Sequence, residues 1–453
     1  YLFEHGLADE QFLADHAKGV TRLRERATEW TFDRAAAVAE LDPELLENFA
    51  EMYADISPAV VRCGWGLERN RNGGNAALAV LALPAVAGKF GVRGGGYSMS
   101  NADAWALSAD DWIGTPEPNT RMVNMNRLGR ALLEYQDPPI QMLFVYNCNP
   151  VATMPNQNLV LEGLAREDLF TVVFDQVMTD TAKLADVVLP ATTFLESYDV
   201  AQSYGLTNLQ LARPVIEAVG NARPNVEVFA ELATRLGLEV DTDYGSDVEA
   251  LIRLTADLPD EAQHKLMDSG FAEGVAGGRP IQFIDVFPRT PDRKICLFPE
   301  NLERENVTGL YRYKDEPTSS DYPLTLISPA TDKTICSTLG ELRSRVASLH
   351  IHPEDAEPRG LTTGDTVRVF NEFGEVHCLV TLNADMRHGT VGLPKGLWRM
   401  STLNGSTANA LVSDDLTDIG GGATFNDARV QVARMVTVSF SSDRAQTTPQ
   451  IKR

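Results

Sequence analysis

The sequence predicts an α/β chain, with a region built on a parallel sheet followed by a C-terminal β-barrel. Two observations carry this. Between residues 139 and 240, short β-branched runs alternate with helical patterns, an order that implies right-handed crossovers and parallel strands. Beyond residue 321 the pattern turns to strand-like runs punctuated by glycine turns, as in compact all-β domains. The length of 453 residues exceeds what one core holds and suits two or three domains.

Residues 1–57 read as helical. Tyr1, Leu2, Leu7, Phe12 and Leu13 trace one amphipathic face, and Asp42-Pro43 starts a second helix carrying Leu45, Leu46, Phe49 and Tyr53. The chain opens on Tyr1 rather than Met, as expected of a fragment or processed product, so any targeting signal would lie outside it. Residues 58–63 form the first strand. Gly64-Trp65-Gly66, then Gly73-Gly74 and a long Ala/Leu helix follow, a strand-glycine-helix order that can lay backbone N–H groups against a phosphate. Residues 91–97 and 98–138 read as long surface loops, which compact domains keep mainly for function.

The region 139–240 is the most regular. Residues 140–146 form a strand, 147–150 a turn, 157–166 a helix, 169–174 a strand, 180–185 a helical turn and 187–189 a buried strand. Ligands of such folds bind at the carboxyl ends of the strands. Those ends carry Asn147, Asn149, Asp175 and Thr179. Asp175 follows Pro150 by 25 residues, close to the spacing of the ribose-binding acid in dinucleotide folds. It could equally cap its strand, and the polar neighbours favour a nucleotide.

Residues 241–320 turn polar and acidic without clear period and end in the linker Thr318-Ser319-Ser320-Asp321. Strands follow at 322–328, 366–371, 375–382 and 429–438, with turns at Gly364-Asp365 and Phe373-Gly374. The expected domains are therefore 1–138, 139–240, a connecting segment 241–320 and a barrel 321–440. The polar tail 441–453 is expected to be disordered.

Composition narrows the partners. The formal net charge is −23 with no basic block, which disfavours nucleic acid and anionic membranes. The longest apolar stretch, residues 76–90, contains Pro84 and Lys89 and falls short of the roughly 20 residues of a membrane span, so a soluble chain is expected. Its compartment, cytoplasmic or periplasmic, is left open. Cys63, Cys148, Cys296, Cys336 and Cys378 show no CxxC spacing, which argues against an iron–sulfur or zinc site held by this chain and for buried free thiols. His350 and His352 would share one face of a strand, with no third ligand nearby, so no metal site is assigned.

Several stretches together resemble the molybdopterin oxidoreductases of the DMSO reductase family, the formate dehydrogenase and nitrate reductase relatives. They are Gly64-Trp65-Gly66-Leu67-Glu68-Arg69, Asn147-Cys148-Asn149-Pro150, residues 174–182 leading to 185–190, and residues 351–356 with Gly364-Asp365. The resemblance covers most of the chain. It implies two molybdopterin guanine dinucleotides chelating molybdenum or tungsten, held between two Rossmann-like halves and a C-terminal double-psi-type β-barrel.

Carried onto this sequence, the resemblance implies that Asn147, Asn149 and Pro150 lie along one dinucleotide. Asp175, Thr179 and Thr181 would address its guanosine and phosphates; for Thr181 a helix-face contact is the alternative. Gly64, Gly66 and Arg69 would approach the other dinucleotide, where an Arg suits a pyrophosphate. In the barrel, Thr334, Ser337 and Thr338 match a loop touching pterin and pyrophosphate, and Trp398 and Asn409 match cofactor-facing residues. A barrel Trp is more often core. Where formate dehydrogenase relatives carry Tyr-Lys, this chain has Phe425-Asn426, which removes a charged contact.

The family's metal-ligating residue and its iron–sulfur segment lie upstream of the part that matches, so no catalytic residue is assigned, Cys148 is not a metal ligand, and this chain alone is expected to be inactive. The resemblance implies two-electron redox or oxygen-atom transfer on a small-molecule substrate, with an electron-transfer subunit as a possible partner. Residues 94–105 are the one funnel segment within reach. Two other readings stand beside this one. One is a homologue without metal acting as a structural or electron-relay subunit. The other is a dinucleotide-binding subunit whose metal-ligating half is another chain.

Overall fold

Two units share the chain unevenly: residues 1–317 with 412–428 form the first, and residues 318–411 with those from 429 onward the second. The structure, a computed structural model, describes residues 1–99, 120–202, 205–238, 247–256, 258–274, 276–306, 308–332, 334–342 and 346–435. The tail 441–453, residues 436–438 of the last expected strand and residues 100–105 of the funnel loop lie outside them.

The first unit opens with helices α1 (Glu10–His16), α2 (Val20–Ala27), α3 (Phe32–Ala39) and α4 (Pro43–Asp55). Asp9, Thr31 and Asp42 cap α1, α3 and α4 with side-chain oxygens that accept the N–H groups of Phe12, Arg34 and Glu44. The expected helix through Tyr1 is corrected here: turns precede Asp9, and the helix begins only where that carboxylate caps it. Leu2, Phe3 and Phe12 still pack on a core with Leu13, Leu23, Ala85 and Phe90. Their spacing reflected a shared core rather than one helix.

Strand β1 (Val60–Arg62) pairs in parallel with β2 (Gly96–Ser98), and helix α5 (Gly73–Val86) lies between them in sequence. The loop expected at 91–97 thus ends in a strand. The loop expected at 98–138 also contains a helix, α6 (Leu128–Glu134). Gly129 hides it from propensity, yet that glycine is what the packing needs. A Cβ on Gly129 would come 2.7 Å from Leu159, and one on Gly163 2.7 Å from Leu132, so the two glycines let α6 meet α8 (Gln157–Leu164) at close range.

Strands β3 (Met142–Tyr146), β4 (Phe170–Asp175) and β5 (Val187–Pro190) form the parallel sheet in sequential order. The short helix α7 (Pro150–Thr153) and α8 connect β3 to β4. Val173 and Phe174 are fully buried, with Val145 and Ala182 packed on the first and Ala191 and Val228 on the second. β5 is an edge strand with Val187 and Val188 exposed, not the buried strand expected. Its apolar run reads as core because hydropathy does not say which strand ends the sheet.

An antiparallel sheet follows, β6 (Asp199–Gln202), β7 (Asn208–Ala212) and β8 (Phe271–Glu273), with helices α9 (Asn225–Arg235), α10 (Asp247–Leu254), α11 (Asp260–Ser269) and α12 (Glu300–Glu305). The connecting segment 241–320 is therefore not devoid of elements. α11 buries only Leu266, against Leu209, Leu258 and Ala272. One buried residue in ten leaves no visible period.

The second unit is a closed six-stranded barrel of β9 (Leu324–Ile327), β10 (Ser348–Ile351), β11 (Thr366–Phe370), β12 (Glu375–Leu382), β13 (Thr390–Gly392) and β14 (Ala428–Arg434), in the order β9-β13-β10-β12-β11-β14. Two parallel pairs, β9 with β13 and β10 with β12, sit among antiparallel ones. Inward alternation is plain in β12, where Val376, Cys378 and Val380 are buried between half-exposed neighbours. β10 and β13, only four and three residues long, lie outside the strand runs that the sequence predicts. His352 leaves the strand that holds His350 and caps a short helix through Glu354 N–H, so the expected shared face does not form.

Candidate functional site

The expected residues of the parallel sheet converge on one hydrogen-bonded centre. Just past β3, Asn147 takes a left-handed backbone (φ 52°), a conformation Asn tolerates better than most residues, and its side chain is exposed. Asn149 is 4% exposed. Its Oδ1 accepts from the Thr181 hydroxyl (2.7 Å) and the Thr181 backbone N–H (3.2 Å), while Thr181 Oγ1 accepts from Val151 N–H at 3.1 Å. These bonds tie the end of β3 to the connection leaving β4 and fix which way the Asn149 amide points. Its Nδ2 donor is buried and has no hydrogen-bond partner among the described residues. A buried donor left in that state costs about 1–3 kcal/mol.

Asp175 ends β4 half-buried, with Oδ1 accepting from Gln176 N–H at 2.7 Å. Thr179 is buried and caps the next turn by accepting from Ala182 N–H (3.1 Å). Pro150 opens α7 with its ring buried. Burial pushes the Cys148 thiol above its ordinary pKa, so it remains a neutral thiol at pH 7 rather than the thiolate that ligates metals. Of the other cysteines Cys63 and Cys378 are buried, whereas Cys296 and Cys336 are exposed, contrary to the expectation of buried thiols throughout. Among the described residues no group of three or more His, Cys, Asp or Glu side chains could hold a metal.

The glycine loop after β1 is organised differently from its sequence reading. Gly64 and Gly66 have nothing among the described residues within 4 Å of where a Cβ would stand. The N-terminus of α5, however, is not available to a phosphate. Asp418 accepts there from Gly74 N–H (2.9 Å), Asn75 N–H (3.2 Å) and Asn75 Nδ2 (2.8 Å), and Ile419 fills the space beside Gly74. A side-chain carboxylate holds the place expected for a phosphate.

The segment 412–428 that brings Asp418 does more. Arg130 grips the buried Asp414 with two hydrogen bonds (2.8 and 2.7 Å). Asp427 accepts from Arg71 N–H (2.7 Å) and Arg71 Nη1 (2.8 Å), and burial pushes its carboxyl above the ordinary value despite that cation. Phe425 lies under the Arg69 guanidinium, 5.8 Å from its ring centre, and Asn426 N–H donates to the Arg69 carbonyl at 3.1 Å. Phe425 and Asn426 thus pack on the Gly66–Arg69 loop. Local sequence held no sign of these partners, which lie more than 280 residues away.

In the barrel unit Trp398 is 2% exposed and donates through Nε1 to the Ser337 carbonyl at 2.7 Å. Its indole lies so close to Gly340 that a Cβ there would stand 2.2 Å from the ring. Trp398 therefore pins the loop bearing Thr334, Ser337 and Thr338, in which Cys336 and Leu339 adopt left-handed backbones. Thr334 shares a hydroxyl hydrogen bond with Thr331 (2.9 Å), and Asn409 is buried in a 3₁₀ turn, Ala408–Leu411.

Residues 10–235 match the molybdopterin oxidoreductase family and residues 329–429 the molydopterin dinucleotide binding domain. Dimethyl sulfoxide reductase DmsA of Escherichia coli is 27% identical over 434 residues, covering 82% of this chain and 52% of that protein. The chain belongs to the DMSO reductase family of molybdopterin oxidoreductases. Another relative is the probable oxidoreductase YoaE of Bacillus subtilis, 34% identical over 447 residues, with 96% of this chain and 65% of that protein covered. The chain thus spans less than two thirds of the length of either relative. In architecture the DMSO reductase fold is evident: acetylene hydratase from Pelobacter acetylenicus superposes with a TM-score of 0.77 at 21% identity, over 96% of this chain and 69% of that one. The family's dinucleotide-binding domain contains Thr334, Ser337, Thr338, Trp398 and Asn409. Among the described residues no helix is long and apolar enough to cross a membrane.

Proposed function

We propose that this family member holds a bis-molybdopterin guanine dinucleotide with molybdenum or tungsten, for two-electron redox or oxygen-atom transfer on a small substrate. The reading rests above all on the Asn149 amide, a buried donor at the carboxyl ends of β3 and β4 without a partner among the described residues. When bound, the cofactor supplies the redox chemistry, and the protein supplies binding and orientation. The Asn149 Nδ2 would donate to the cofactor while Thr181, whose hydrogen bonds are made within the protein, holds that amide in place. Thr179 has a similar supporting role through the turn it caps. Asp175 would accept from the N–H donors of the guanine, and Asn147 would meet the same dinucleotide from the exposed end of β3.

For the second dinucleotide, Gly64 and Gly66 leave the backbone open to close approach, and Arg69 suits a pyrophosphate. In the barrel, Thr334, Ser337 and Thr338 are assigned to binding on the loop that Trp398 positions, and Asn409 to binding from its 3₁₀ turn. Electrons would pass to or from a separate redox subunit.

Protein purified anaerobically is expected to release two GMP per chain on acid hydrolysis, alongside stoichiometric molybdenum or tungsten. Metal-loaded protein that releases no GMP would overturn the assignment.

A further inference from the structure

A cavity of about 910 Å³ opens in the first unit, lined by residues from 92–98 and 276–289 and by Gly205, Leu206 and Thr207. Its charged lining runs against the rest of the chain. In a protein of net charge −23, the cavity is lined by Arg93, Arg279 and Arg289 and by a single carboxylate, Asp285. That carboxylate turns to its own backbone, accepting from Ile281 N–H at 2.7 Å. Arg93 and Arg279 are exposed and have no ion-pair or hydrogen-bond partner among the described residues.

The wall that carries Arg93 is held firmly. Gln282 donates to the Tyr97 carbonyl (2.8 Å), accepts from Tyr97 N–H (3.1 Å) and, through its own carbonyl, accepts from Gly91 N–H (2.9 Å). Gly96 has φ 101°, and a Cβ there would stand 2.2 Å from Gln282 Oε1, so only glycine permits the clamp. Two arginines lining a cavity with a braced wall suit a planar or tetrahedral oxyanion, which guanidinium groups bind in bidentate fashion, and bracing lowers the ordering cost of binding.

We propose that this cavity takes a small anionic substrate, a carboxylate or inorganic oxoanion, through Arg93 and Arg279. Naming the ligand a substrate rests on the proposed function, whereas the anion site itself does not. The alternative source of the same chemistry is a phosphate of the dinucleotide.

Isothermal titration of the purified protein with inorganic phosphate tests this, first without cofactor and then after loading. Saturable one-to-one binding is expected, weakened about tenfold or more in Arg93→Gln/Arg279→Gln and unchanged in Arg235→Gln, whose side chain pairs with Glu231 elsewhere on the surface. Binding should persist in the loaded protein. Absence of saturation, equal affinity in the double variant, or loss of binding on loading would each overturn the proposal, the last by assigning the arginines to the cofactor's phosphates. Failure of the functional reading shows separately, as absence of GMP in the loading step.

Discussion

Asp418 and Asn75 stand 343 residues apart in sequence, yet the carboxylate of one receives both the side-chain amide (2.8 Å) and the backbone N–H (3.2 Å) of the other. The N-terminus of α5 carries a partial positive charge that attracts anions. Here the protein supplies its own anion, and Gly73 and Gly74, the first residues of the helix, pack closely on Glu68 and Ile419.

Asp418→Ala removes a cap and leaves the buried Asn75 amide short of an acceptor. A loss of about 2 kcal/mol or more is expected, read as a lower urea midpoint, with Asp418→Asn milder because one acceptor oxygen remains. An unchanged midpoint in the alanine variant would mean that the helix end is satisfied by other means.

The Arg130–Asp414 pair makes stability depend on pH. Arg130 holds the Asp414 carboxyl below its ordinary value of 3.8, so the folded state binds that proton less readily than the unfolded chain does. The contribution is fully present above pH 3.8 and is lost as pH falls through the lower folded value. Asp414→Asn should cost about 1–3 kcal/mol at pH 7, since Asp414 is buried while Arg130 is partly exposed. Denaturation curves of the variant and the parent should converge as the pH is taken below 3.8; a gap that stays constant would refute the ionic origin.

Thr181→Val deletes the hydroxyl that donates to Asn149 and accepts from Val151. The amide is then free to turn, and GMP content after anaerobic purification is expected to fall about tenfold in retention. Thr181→Ser keeps the hydroxyl and should restore it. If valine and serine variants retain equal GMP, Asn149 is not oriented through Thr181.

Asp175→Ala should weaken cofactor retention by about tenfold to a hundredfold, the worth of hydrogen bonds to a charged acceptor. Asp168, exposed and paired with Arg166 at 2.6 Å, is the matching control. Asp180 is unsuited to that purpose because it is 4% exposed and pairs with Lys183, so its loss would disturb the fold. Equal GMP content in the Asp175 and Asp168 variants would leave Asp175 as a strand-end cap.

Much of the architecture was written in short-range pattern. The β-branched runs that became β3 and β4 and the alternation in β12 lie within a few residues of one another, and local periodicity follows directly from whether a chain segment has one buried face or two. The asparagines and the acid at the strand ends were legible for the same reason: a parallel sheet places its loops at the ends of its strands. What the sequence could not disclose were choices made by distant partners. That β5 is an edge strand depends on what lies beside it, and that Gly129 sits in a helix depends on α8. Whether the α5 terminus meets a ligand or Asp418 depends on residues 412–428, which follow β9 to β13 in sequence and belong to the first unit. Such contacts join polar side chains more than 280 residues apart, and only the folded chain brings them within hydrogen-bonding distance.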